Sequence, residues 1–510
     1  MKITLIYPCS DIHACGIRSL SSCLKKENFE VQLIFLPIHF NNEYKKETLN
    51  KVVDISKNSC LIGISVMTNY FYSSIQITQW LKKNLNVPVL WGGVHPTIRP
   101  EESLNYSDMV CIGEGENSLI ELTDRIKEGK DFHNVFGIWL NNREGVIKNP
   151  IRPLIQDLDS LPFPDYDFKT HYLISDNQST TMDEYLIKRH TSGVYLTMPS
   201  RGCPFLCSYC WNNAFNKMYP NQKLVRKRSI DNIINELVQV RNKIPTFKKI
   251  MFNDDAFLSR DIAEMKEFCE KYKQNIGLPL IIVGAPPPSI SREKLTLLVN
   301  AGAIVLEMGI QTASERTKKL YRRHHSNQQV ESAAKIMNEF KNRLEIIQYD
   351  IILDNPFESD EDLIETLKFL AKLPPPFTLA IFSLTFYPGT ELYDVAKSKG
   401  MIPDEHKMIY RKEFHTCKKT YLNRLFFLLK EYTAGGGKIS PKMMNVLTHK
   451  KIIKLKINWL IYFILKIGAV PYRLRYFKFG YLFKEAIKDV LKGDLLRIKT
   501  HIKRHFKLLK

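Results

Sequence analysis

In the N-terminal quarter of this chain, short apolar runs alternate with amphipathic stretches. Ile3–Tyr7, Val31–Leu36, Leu61–Val66, Val87–Trp91 and Met109–Ile112 read as buried strands. Between them lie helical patterns: Gly16–Lys26 sets Ile17, Leu20 and Leu24 on one face, and Ser74–Asn84 repeats the spacing. Strands separated by helices imply a doubly wound parallel sheet, with its ligand crevice beyond the carboxyl ends of the strands. The alternation resumes later with Val194–Met198, Lys249–Phe252, Leu280–Val283, Ile304–Met308, Ile346–Leu353 and Leu379–Phe386. Six such strand–helix units suit an open partial barrel, whose catalytic groups gather on loops at the strand ends.

These patterns divide the chain into an N-terminal α/β domain over 1–129, a connector over 130–188, a barrel over 189–400 and a helical, basic region over 401–510. In the connector, Leu161-Pro162-Phe163-Pro164 sets prolines among apolar residues and predicts an extended, packed strap. A length of 510 residues suits two or three domains. The N-terminus enters a strand without a charged then apolar leader, so no export signal is expected. Ten cysteines without a disulfide-like framework point to a reducing cytosol.

Charge changes the picture at the other end. The net charge is +21, and Pro441–Lys510 alone holds 18 Lys/Arg against 3 Asp/Glu. Gly435-Gly436-Gly437 reads as a hinge before it. Ile457–Val470 is nearly all apolar but too short to cross a hydrocarbon core of about 30 Å. Leu482–Leu509 repeats apolar residues at helical spacing among lysines and arginines. The pattern fits an interfacial helix drawn to anionic headgroups at an inner membrane surface. A helical cap packed on the barrel is the alternative, and nonspecific nucleic-acid contact, which is not expected, is the third reading.

Candidate chemistry concentrates in Arg201-Gly202-Cys203-Pro204-Phe205-Leu206-Cys207-Ser208-Tyr209-Cys210. The CxxxCxxC spacing lets one loop wrap an iron–sulfur cube, and three thiolates for four irons leave one iron open. A zinc knuckle would want a fourth ligand. At these residues the chain resembles the radical S-adenosylmethionine (SAM) superfamily. The resemblance implies that Cys203, Cys207 and Cys210 hold a [4Fe–4S] cluster whose open iron chelates SAM, with Tyr209 packing near the adenine.

Loops after the N-terminal strands carry Asp11-Ile12-His13-Ala14-Cys15-Gly16, Ser65-Val66-Met67-Thr68, Gly92-Gly93-Val94-His95-Pro96-Thr97 and Gly113-Glu114-Gly115-Glu116. Glycines and small hydroxyls at strand ends let backbone approach a bulky ligand tail. The series resembles the cobalamin-binding domain that precedes the barrel in one subgroup of that superfamily. It implies cofactor contacts at Asp11, His13, Gly16, Ser65, Gly92, Gly93, Gly113 and Glu114. His13, oriented by Asp11, is either a cobalt ligand or a loop histidine, and His95 reads as loop-shaping. In the barrel, Asn253-Asp254-Asp255-Ala256-Phe257 and Gly309-Ile310-Gln311-Thr312 resemble SAM-contacting elements, implying roles for Asp254, Asp255 and Gln311; the two aspartates also suit a helix cap. Two loops depart from the pattern: Gly284-Ala285-Pro286-Pro287-Pro288 lacks a charge, and Asp354-Asn355-Pro356-Phe357-Glu358 replaces two glycines.

The resemblance therefore implies a cobalamin-dependent radical SAM enzyme. It would cleave SAM reductively to a 5′-deoxyadenosyl radical, methylate an unactivated carbon of a small or lipid-like substrate, and draw electrons from a donor such as flavodoxin or ferredoxin. Nonmethylating oxidation, cyclisation or rearrangement on the same fold, or a cobalamin- or cluster-sensing module, are the alternatives. The expected location is cytoplasmic, with peripheral membrane contact through the tail.

Overall fold

The computed structural model describes residues 1–142, 144–455 and 458–476. Strands β1 (Lys2–Tyr7), β2 (Glu30–Phe35), β3 (Ser59–Ser65), β4 (Val89–Gly92) and β5 (Met109–Cys111) pair in parallel in the order β5-β4-β3-β1-β2. Their apolar runs are continuous because helices cover both faces: Ile3 and Leu5 pack in one core cluster, while Ile6 packs in another. The winding reverses between β1 and β3, so the crevice opens there. All five strands match the periodicity reading to within about two residues at each end.

The segment expected to be only a strap does more. It supplies β6 (Ile138–Asn142) and β7 (Gly145–Lys148), antiparallel beyond β5, and β8 (His171–Ser175) and β9 (Gln178–Thr181) beyond β2, giving a nine-stranded sheet. The β8–β9 hairpin turns on Asp176 and Asn177, with φ of 50° and 60°. A two-residue turn needs such a left-handed pair. Only the stretch around Leu158–Pro164 remains a strap, with Leu158 buried.

A second sheet consists of β10 (Val194–Thr197), then, after the short ribbon of β11 (Ser200–Arg201) with β12 (Arg226–Lys227), β13 (Lys249–Asn253), β14 (Leu280–Ala285), β15 (Ala303–Gln311), β16 (Ile346–Leu353) and β17 (Thr378–Ser383). Its six strands are parallel and neighbour one another in chain order, as a partial (β/α)6 barrel requires.

The helix Tyr421–Ala434 packs on this barrel through Leu422, Leu425, Phe426, Leu428 and Leu429. Two of the three glycines read as a hinge, Gly435 and Gly437, instead make a close approach. A Cβ on Gly435 would lie 2.0 Å from the Tyr472 carbonyl oxygen, and one on Gly437 would lie 2.6 Å from the Tyr472 ring. The helix Val470–Tyr476 thus folds back onto Tyr421–Ala434, as the packed-cap reading requires of this part of the tail. The amphipathic run Leu482–Leu509 lies outside the described residues. No helix among the described residues is long and apolar enough to cross a membrane.

Candidate active site and cofactor cavity

The cysteine loop leaves β11, just past β10, through a turn that only glycine fits. Gly202 has φ +86°, and a Cβ there would meet the Leu224 carbonyl oxygen at 2.1 Å. The loop is pinned across the barrel mouth: the Ser208 amide donates to Tyr321 O at 3.1 Å, and Ser208 Oγ donates to Leu320 O at 2.6 Å. Burial pushes the Cys203 and Cys210 thiols up to about 12, with the Asp255 carboxylate adding to it. Ligation must therefore supply the energy that holds them ionised.

Arg323 offsets that charge, and sequence reasoning missed it. Its guanidinium sits 3.8 Å from Cys207 Sγ, donates to Tyr209 Oη at 3.1 Å and donates to Gly309 O at 2.5 Å. The Tyr209 ring meets Tyr321 edge-on at 4.8 Å. Among the described residues no three His, Cys, Asp or Glu side chains converge on a single ion. A cube does not need that, because each thiolate takes its own iron. Three cysteines on one loop beside the half-buried Arg323, with Cys111 and Cys269 buried elsewhere, fit a cluster with one open iron.

Around this loop the other predicted residues assemble unevenly. Asp255 accepts from Asn212 Nδ2 at 2.8 Å and lies in the field of Cys203 and Cys210. Asp254 is partly structural: its Oδ1 accepts from Ser200 Oγ at 2.6 Å and the Ala256 amide at 2.7 Å, while Oδ2 has no partner. Gln311 holds φ +68°, unusual for a side chain of its size, and its Oε1 is buried without a partner. The uncharged loop after β14 places Gly284 at φ +82°, where a Cβ would lie 3.2 Å from the Asp254 carbonyl oxygen. Where the pattern wants glycine after β16, Asp354 keeps the left-handed conformation at φ 62°, and its carboxylate accepts from Ser383 Oγ and Asn423 Nδ2.

Inside the barrel, Glu307 on β15 and Asp350 on β16 form a carboxylate pair, with Gln348 Nε2 donating to Glu307 at 2.5 Å. Burial, then the field of Glu307, pushes Asp350 up to about 8. The pair is invisible in the sequence because both residues sit within runs that read as core strand.

Beyond β1, β3, β4 and β5 lies a cavity of about 310 Å³. Gly16, Ser65, Gly92, Gly93, Gly113 and Glu114 line it, and the strap's Pro162, Phe163 and Pro164 and the barrel's Thr197 and Met198 close it. A Cβ on Gly93 would press on Val66 O at 3.1 Å, and one on Gly113 would overlap Tyr219 Oη at 1.9 Å. Such a backbone cradle fits the tail of a cobalamin.

Three of the residues expected to meet cobalamin have other partners in the structure. Asp11 and His13 do not line this cavity, and His13 Nε2 donates to the Val194 carbonyl oxygen at 3.2 Å, which ties the first domain to β10. Glu114 lines the wall, but its carboxylate is committed: both oxygens accept from Arg226 at 2.8 Å, and Arg201 reaches it at 3.2 Å. Arg201 also bonds Glu116 at 2.6 Å. Although burial opposes ionisation, the Arg201 guanidinium holds Glu116 below the usual carboxylate range. His95 is buried against Phe71 and Tyr410, in the loop-shaping position expected of it, and burial holds its pKa down to about 3.

Comparison with known proteins agrees with this geometry. Residues 1–123 match the B12 binding domain and residues 197–370 the Radical SAM superfamily. The uncharacterised methyltransferase PH0819 of Pyrococcus horikoshii is 29% identical over 67% of this chain and 70% of its own length. The anaerobic magnesium-protoporphyrin IX monomethyl ester cyclase of Synechocystis is 25% identical over 83% of this chain and 81% of its own. Two solved structures share the fold. OxsB, a cobalamin-dependent SAM radical enzyme solved with aqua-cobalamin and SAM, superposes with a TM-score of 0.64 at 15% identity, over 99% of this chain and 83% of its own. TsrM, a radical SAM methyltransferase from Kitasatospora setae solved with tryptophan and a SAM analogue, superposes with a TM-score of 0.63 at 17% identity, over 78% and 76%.

Proposed function

This chain belongs to the radical SAM enzymes that carry an N-terminal cobalamin-binding domain, with a [4Fe–4S] cluster, SAM and cobalamin as cofactors, and we propose that it methylates an unactivated carbon of a small molecule held in the barrel. One observation carries the reading: the glycine-lined cavity and the cysteine loop are joined by a single ion-pair network through Glu114, Glu116, Arg201 and Arg226. When bound, cluster and SAM together supply a 5′-deoxyadenosyl radical, and cobalamin supplies a methyl carrier.

The chain's residues orient and shield. Cys203, Cys207 and Cys210 would hold the cluster, with Arg323 balancing thiolate charge. Tyr209, Asp254 Oδ2, Asp255 and Gln311 Oε1 are the groups we assign to SAM. Gly16, Ser65, Gly92, Gly93 and Gly113 would admit cobalamin, and the proline strap would close over it. Glu114, Asp11 and His13 are assigned to joining the domains. Substrate would enter the barrel over Glu307 and Asp350, and electrons would come from a low-potential donor such as flavodoxin or ferredoxin in the cytoplasm.

The test is an anaerobic incubation of reconstituted protein with methyl-deuterated SAM and small-molecule extract. A product heavier by one trideuteromethyl group supports methylation. SAM consumed with an unmethylated, dehydrogenated or cyclised product would replace it with the cyclase-type reading, for which the similarity to the Synechocystis cyclase is the motive.

A further inference from the structure

The helix Asn458–Gly468 is apolar on both sides. Ile461, Tyr462 and Leu465 turn inward onto the core cluster that includes Tyr421–Ala434. At the spacing of the opposite face, Trp459, Leu460, Phe463, Ile464 and Ile467 are exposed, four of the five by more than half, and Val470 continues the stripe. A soluble surface helix normally sets polar groups on that side, and contiguous exposed apolar residues mark an interaction surface.

The charge around the stripe says what it meets. From Tyr432 to Tyr476 the sequence has no Asp or Glu, while Lys442, Lys450, Lys451, Lys454 and Arg475 stand among the exposed positions. Residues 477–510 add further lysines and arginines at the same end of the chain. Two carboxylates from elsewhere reach this region, Glu361 at 3.5 Å from Lys450 and Glu431 at 3.9 Å from Arg473, but an apolar stripe with a tryptophan at one end, in a stretch of sequence that is otherwise basic, is complementary to an anionic bilayer: side chains enter the acyl boundary while lysines meet phosphates.

We propose that the outer face of the helix Asn458–Gly468 docks this enzyme on an anionic lipid surface. The assignment is independent of the chemistry given to the barrel, and its test reads lipid binding alone. Full-length protein is floated with vesicles of phosphatidylcholine alone or mixed with phosphatidylglycerol, at low and high salt, beside a variant carrying Phe463→Ser, Ile464→Ser and Ile467→Ser. The wild type is expected to float with the anionic vesicles, to release progressively with salt, and to bind at least tenfold more tightly than the triple variant, whose thermal melt is unchanged. Emission from Trp459, isolated by subtracting a Trp459→Phe variant, should shift blue with vesicles and be quenched by brominated lipid. Equal flotation of wild type and triple variant would overturn the proposal and leave residues 477–510 as the binding element. It would also fail if Trp459 were already blue-shifted and insensitive to brominated lipid, meaning another part of the chain covers it. Concentration-dependent dimers lost in the triple variant, without vesicle binding, would reassign the face to a second copy.

Discussion

Replacing Glu114 tests whether its carboxylate clamps the domains or touches the cofactor. Arg226 is about 1% exposed and has Glu114 as its carboxylate partner, at 2.8 Å from both oxygens, keeping only the backbone oxygens of Ile155 at 2.8 Å and Leu224 at 3.3 Å if that carboxylate goes. Removing one partner of such a buried pair costs about 3–5 kcal/mol, because the remaining charge stays desolvated. Arg201 is better insured, since Glu116 still holds it at 2.6 Å. Glu114→Ala should therefore lower the stability of the domain junction by about 3–5 kcal/mol. Arg226→Met should cost less, because Glu114 retains Arg201 and the Ile155 amide at 2.9 Å. The double variant should cost less than the sum of the singles by about 2 kcal/mol, as residues in one network do. The assay is urea unfolding of the cofactor-free chain, reading the first transition because a chain of several domains need not unfold in one step. Cobalamin retention is measured separately by absorbance. Additive single effects, or a Glu114→Ala protein of unchanged stability that loses only cobalamin, would refute the clamp.

Gly113→Ala should melt well below the wild type and fail to retain cobalamin. Adding Tyr219→Phe should restore most of the stability, leaving about 1–2 kcal/mol for an L side chain at φ +82°. Asp350 gives a pH prediction for thermal melts of the cofactor-free chain. Its folded pKa, raised by burial and then by Glu307 to about 8, lies above the unfolded value, so the folded state binds the proton more tightly and stability falls as pH rises from about 4 to 8, by no more than about 1.4 kcal/mol per unit. Asp350→Asn should flatten that slope, melting above the wild type at pH 8.5 and close to it at pH 5; parallel wild-type and variant curves would show that the pair does not share a proton.

The parts of this molecule legible in its sequence are those with local causes. Apolar runs gave the eleven strands of the two parallel arrays, because a strand covered on both faces reads as one block, and a thiol triad on one loop is a matter of spacing alone. The strand Gln178–Thr181 was missed because all four residues are exposed, so no alternation marks it, and its turn uses Asp176-Asn177 rather than a glycine pair. Glu307 and Asp350 hide inside strands that look like core. Arg323 acquires its meaning only when the fold brings it to Cys207, 116 residues earlier in the chain. Glu114 sits in a glycine loop that resembles a ligand cradle, yet its partners lie 87 and 112 residues away. His13 follows the same logic, since only the packing of the first domain on β10 supplies Val194 as its partner.

The central claim is that Cys203, Cys207 and Cys210 hold a cluster that cleaves SAM. Its most direct measurement is the yield of 5′-deoxyadenosine from SAM when the anaerobically reconstituted full-length chain is reduced, set against the variant with all three cysteines changed to alanine. The wild type should contain four iron and four sulfide and form 5′-deoxyadenosine only when reduced, while the triple variant, with an unchanged melt, should contain no cluster and form none. A triple variant that kept the iron, the sulfide and the SAM cleavage of the wild type would contradict the account.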